Sequence, residues 1–104
     1  MTGMDDREKS YENKFAHDQE LEFKMRAKRD KMLGLWAAER MRLDEDDSED
    51  YASEVVDCGI GSKDGEAVAE KVLYDLRDAG VDISEEEVRD KMDELLTIAK
   101  DEEF

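Results

Sequence analysis

The chain has no proline, one cysteine and one tryptophan in 104 residues, and aromatic side chains make up only 7% of it. Without proline, no residue forces a break in a helix by removing an amide donor and clashing with the preceding turn. The scarcity of aromatic and β-branched residues argues against a sheet, whose half-buried surface is built from them. A lone Cys58 rules out an intrachain disulfide and fits a reducing compartment. Long apolar runs are missing too. No window approaches the roughly 20 residues of a membrane-spanning helix. Met1 to Ser10 is charged where a signal segment needs an apolar core. The expectation is an all-α cytoplasmic protein with no direct membrane insertion.

What the chain has in abundance is charge. With 38% hydrophobic and 46% charged residues, a chain of this length makes one small domain with a thin core and a heavily solvated surface. Residues 1–42 carry ten Lys or Arg against nine Asp or Glu, and residues 43–104 carry six against twenty-three. The halves are therefore net +1 and net −17, giving −16 for the whole, and they face different partners. An acidic body repels phosphate backbones, which removes the counterion-release drive behind most nucleic-acid binding, and it opposes adsorption to anionic lipid. Neither DNA nor RNA is an expected ligand, and the free protein is expected to be a monomer.

Helix signals divide the chain into four segments. The run from Asp5 to Arg42 contains a single glycine, Gly34, and reads as one long helix. Asp46, Asp47 and Ser48 are available caps for a second helix running to about Asp57, with Gly59 and Gly61 turning the chain after it. A third begins near Ser62 to Asp64, carries Val68, Val72, Leu73, Leu76 and Ala79 at helical spacing, and stops at Gly80. Ser84 and Glu87 form a capping box for the fourth, whose stripe is Val88, Met92, Leu95, Leu96 and Ala99. The acidic tail Asp101-Glu102-Glu103 is expected to fray.

The first helix changes character along its length. Beyond about residue 20, Leu21, Met25, Met32, Leu35 and Trp36 share one side of an ideal helix, a stripe broad enough to join a bundle. Before it, the stripe holds only Met4, Tyr11 and Phe15, and seven of the ten residues from Asp5 to Lys14 are charged. Acid-first pairs such as Asp5 with Lys9 contribute only about 0.2–0.5 kcal/mol each, so this end depends on another surface for its stability. The expected organisation is a mobile helical arm, residues 1–20, on an acidic helical bundle, residues 21–104. Tyr11 and Phe15, surrounded by Arg7, Lys9 and Lys14, are spaced as anchors for a groove in another protein; packing back on their own bundle is the alternative.

The wording of this first helix is specific. Asp5-Asp6-Arg7-Glu8, Lys14-Phe15-Ala16-His17-Asp18, Glu20-Leu21, Phe23-Lys24, Leu33-Gly34 and Trp36-Ala37-Ala38 together resemble the zeta subunit of alphaproteobacterial F-type ATP synthases. That resemblance implies an inhibitor of ATP hydrolysis by the rotary catalytic head. The N-terminal segment would be the inhibitory part, entering an interface between the alpha and beta subunits and touching the gamma subunit, the rotor shaft. Matching positions are Asp5, Asp6, Arg7, Glu8, Lys14, Phe15, Ala16, His17 and Asp18, while Met4 stands where the family commonly has an apolar or aromatic residue. The bound protein would sit peripherally at the inner membrane. The resemblance also implies weak adenine-nucleotide binding, for which Lys24, Lys28 and Lys31, sharing one helix face, are the candidate cations. Neutralising the acidic helices of its own bundle is the competing role for that face.

Other constellations fall away. His17 is the one side chain of a type whose unperturbed titration lies near physiological pH, which would make a function pH-sensitive, a lone solvated histidine being the alternative, and it has no cysteine or second histidine at metal-ligand spacing. A calcium loop starting at Asp44 needs glycine and glutamate where Glu49 and Val55 stand. Gly59-Ile60-Gly61 lacks its third glycine, since position 64 is Asp64. No phosphate-cradling loop or nucleophile with a nearby histidine can be drawn, so a non-catalytic role is expected, with no cofactor and no metal. Phe23 projects almost opposite the Met25 and Trp36 stripe and is expected to pack between flanking helices, a contact with a partner being the alternative. The alternative reading of the whole chain is an acidic helical adaptor or nucleotide-responsive module that does not bind ATP synthase.

Overall fold

The computed structural model describes the backbone of residues 2–60 and 65–103, and the side chains of residues 20–60 and 65–102. The described residues form four helices and no strand: α1 (Thr2–Arg40), α2 (Glu45–Ile60), α3 (Glu66–Asp78) and α4 (Glu85–Glu103). The all-α expectation is therefore met. Successive helices run antiparallel in an up-down-up-down bundle: Gly34 lies against Ala52 and Gly59 against Asp30, while Trp36 meets Lys91 and Lys28 meets Glu102. α1 packs chiefly on α2 and α4. At 1.5 Å rise per residue its length is about 58 Å. The molecule as a whole measures 66 × 27 × 23 Å.

α1 meets the bundle on a face rotated from the expected one. Leu33, Ala37 and Ala38 have no exposure at all and Met25 is buried, whereas Leu21, Met32 and Trp36 are half-buried and Leu35 is exposed. The reason is small side chains. A Cβ built on Gly34 would stand 2.7 Å from the Ala52 Cα, so α2 approaches the backbone of α1 at the Gly34, Ala37 and Ala38 surface, and the larger residues are left at the margin. Trp36 sits there between two cations, Arg40 at 5.7 Å and Lys91 at 5.8 Å from its ring. The other helices supply Tyr51, Ala52 and Val55, then Val68, Ala69, Val72 and Leu76, then Val88, Met92, Leu95 and Ala99. Ala79 is exposed, because α3 ends one residue before it.

Helix ends refine the boundaries. Arg42 takes the left-handed conformation, φ 62°, and lets the Arg42 and Leu43 amides donate back to the Glu39 and Ala38 carbonyls. This tight turn delivers the chain to α2 early. Asp44, not Asp46 to Ser48, is the cap, accepting from the Asp47 amide at 2.8 Å. Gly59 lies inside α2 and serves close packing, not a turn: a Cβ there would meet the Asp30 carboxylate at 2.1 Å. Gly61 and Ser62 to Asp64 lie outside the described residues; the described start of α3 is left-handed Gly65, φ 77°. Gly80, φ 85°, closes α3 as expected, with the Val81 amide donating to the Leu76 carbonyl. At α4 the Ser84 hydroxyl accepts from the Glu87 amide at 3.1 Å. The tail, expected to fray, continues α4 as far as Glu103.

Candidate functional site

Met4, Asp5, Asp6, Arg7, Glu8, Tyr11, Lys14, Phe15, Ala16, His17 and Asp18 all fall on the unbroken helical backbone of α1, while their side chains lie outside the described ones. The backbone from Thr2 to Glu20 covers about 27 Å at helical rise. In the described part, α1 borders the bundle from Glu22 onward. Glu22, Met25 and Arg26 share a cleft with Leu96 and Lys100 of α4, and Lys28 pairs with Glu102. Glu22 and Arg26 are bridged at 3.5 Å.

Two features of this root escaped the sequence reading. Arg29 and Asp30 are buried at 8% and 3% exposure and pair with each other, the guanidinium to carboxylate distance being 3.0 Å. They sit between the last turn of α2 and the start of α3: Gly59 faces Asp30, and Gly65 lies 3.2 Å, counted from an added Cβ, from the Arg29 guanidinium. Burial pushes the Asp30 carboxyl above the usual carboxylate range, and the nearby Arg29 and Arg26 charges oppose that without cancelling it. Two adjacent charged residues on a helix read as solvated, and the only signal against that reading is the pair of glycines that fit over them. The second feature is Phe23. Instead of packing between helices, it remains 56% exposed beside Ile60, 63% exposed, at the mouth of a cavity of about 160 Å³ lined also by Arg26, Ala27, Asp30, Val56 and Gly59. α2 reaches Phe23 only with its last turn, so nothing described covers the ring.

The three candidate nucleotide cations are separated by their surroundings. Lys24 is exposed, Lys28 is engaged by Glu102, and Lys31 borders a cleft of about 230 Å³ with Ala52, Ser53, Val56 and Asp57. That volume is below the roughly 300–1,000 Å³ of small-molecule sites.

Elsewhere the charged surface is organised for stability. The Tyr51 hydroxyl donates to Asp75 at 2.8 Å, Lys71 donates to the same carboxylate at 3.1 Å, and the Lys71 ammonium stands 5.3 Å from the Tyr51 ring. Burial, then the hydrogen bond to Asp75 and the charges of Asp75 and Glu54, push the Tyr51 hydroxyl well above its ordinary value. For Lys71 burial acts to lower the ammonium, but the Asp75 and Glu54 contacts outweigh it and raise it. Arg89 forks onto Glu66 at 2.8 and 3.0 Å and reaches Glu85 at 2.9 Å, tying α4 to α3. Among the described residues no group of three or more His, Cys, Asp or Glu is placed to hold a metal, and no helix is long and apolar enough to cross a membrane.

The sequence profile of the family described as ATPase inhibitor subunit zeta matches residues 1–102. A protein structure solved in solution by NMR is similar at 39% sequence identity and a TM-score of 0.68, over 77% of this chain and 91% of that one. No curated protein sequence matches the chain.

Proposed function

The chain belongs to the family of ATPase inhibitor zeta subunits, and on that premise we propose that it inhibits ATP hydrolysis by the F-type ATP synthase through the N-terminal half of α1. The observation that carries the reading is the continuation of α1 as helix to Thr2, beyond the contacts with the bundle made by its described side chains, in a chain whose family role is inhibition. In this reading residues 1–20 are the arm, residues 21–104 are the acidic bundle that stays outside, and Tyr11 and Phe15 are the anchors. The groove lies between an alpha and a beta subunit, next to the gamma shaft. No chemistry of its own is required of the inhibitor. A helix that binds one conformational state of the groove better than the others stalls a rotary cycle obliged to leave that state. Direction follows if rotation in the synthesis sense opens the occupied interface and rotation in the hydrolysis sense tightens it. The protein would then be found with the ATP synthase at the inner membrane.

The test is addition of purified protein to its cognate ATP synthase, with hydrolysis and synthesis followed separately. Hydrolysis should fall and synthesis should persist. Tyr11→Ala with Phe15→Ala should weaken inhibition by more than tenfold, since central aromatic anchors contribute about 2 kcal/mol or more each. Unchanged inhibition by that variant would remove the arm from the mechanism.

A further inference from the structure

We propose that Phe23, Ile60 and the cavity between them form a second contact with the ATP synthase head, receiving one aliphatic side chain from the subunit surface beside the arm's groove. The proposal rests on the arm reading and extends it from α1 alone to a composite of α1 and α2. Two large apolar side chains from different helices, each more than half exposed, stand together at one opening. An apolar pair of this kind on a protein with 46% charged residues is an unusual concentration of hydrophobic surface.

The size and chemistry of the opening restrict its occupant. About 160 Å³ is close to the roughly 150 Å³ apolar cavity known to admit a benzene ring, so one Leu- or Met-sized group fits. A nucleotide does not. Arg26, half-exposed on the lining, is bridged to Glu22 at 3.5 Å. A second copy of this chain is disfavoured because each copy carries a net charge of −16. Continuity selects the ATP synthase head: Phe23 lies on the same uninterrupted helix as Phe15, eight residues or about 12 Å further along. It is also in the half of the chain that is not acidic.

Full-length Phe23→Asn and Ile60→Asn, made separately, test this with charge unchanged. Tyr74→Asn is the control, because Tyr74 is 70% exposed on α3 and borders a different surface. Either of the first two should raise the inhibition constant about tenfold, the control less than about twofold, with similar melting for all three. A photo-crosslinking phenylalanine analogue at position 60 should form an adduct with a subunit of the head, and the same group at position 74 should not. Inhibition by the Phe23 and Ile60 variants equal to that of the control would overturn the second contact, as would a position-60 adduct that is absent or formed only with another copy of this chain. Tyr11→Ala with Phe15→Ala, run beside them, separates the two ideas. If that variant alone loses inhibition, the arm stands without the second contact, and if it inhibits normally, the arm reading itself has failed.

Discussion

In residues 20–40 of α1, Leu33, Ala37 and Ala38 are fully enclosed by the other helices, whereas the stretch from Asp5 to Lys14 is seven-tenths charged and offers Tyr11 as its one aromatic residue. The backbone is helical in both. Burial of a face supplies the helical stability of the first region, and nothing comparable in sequence supplies the second, which depends on local charge pairs of a few tenths of a kcal/mol. A helix can thus be written as one element and be stabilised as two. In the proposed function that division is also a division of labour: the enclosed half fixes the fold, and the charged half is completed by another protein's surface.

The sharpest way to break this comparison is to delete residues 1–15. Inhibition of hydrolysis should be lost while thermal melting stays near that of the intact chain, because no described core side chain is removed. A large fall in melting temperature would mean that both halves belong to the bundle. The next test lies within the enclosed half. Leu33→Ala, at a fully buried position, should cost about 2–5 kcal/mol. Trp36→Ala, at the half-buried margin between two cations, should cost less, about 1–3 kcal/mol, although it removes more atoms. Urea titration of both variants checks the order, and the reverse order would return the core to the Met32 and Trp36 side.

A smaller effect comes from pH. Tyr51 and Lys71 both have folded values above their ordinary 10.0 and 10.5, so the folded chain holds protons that the unfolded chain releases. Their contribution is complete below about pH 10 and is lost as pH rises further. The urea midpoint should therefore drop between pH 8 and pH 11, and Tyr51→Phe should flatten that drop. Inhibition by the arm at neutral pH should be untouched by that substitution. Smallest of all, Arg42→Gly should stabilise the bundle by less than about 1 kcal/mol, since relief of the left-handed strain at φ 62° exceeds the added freedom of the unfolded chain only slightly. A melting temperature raised by a few degrees with unchanged inhibition is the expected result.

Some of this was legible in the chain alone and some was not. The absence of proline, the apolar spacing of Val68, Val72 and Leu76 and of Val88, Met92 and Leu95, the stop at Gly80 and the cap at Ser84 specify α3 and α4 and much of their core, because those signals act within a few residues of one another. The wording of the first helix is likewise a property of sequence, and it carries the family. What the candidate site's root looks like belongs to tertiary structure. Leu33 rather than Trp36 is enclosed because Gly34 and its small neighbours let α2 come close, and Gly59 is a packing surface for Asp30 because the end of α2 returns across α1. Arg29 and Asp30 are hidden, and Phe23 is left open, for the same reason: burial is set by which helix lies opposite and how far it reaches, a distance between remote parts of the chain that local composition does not encode.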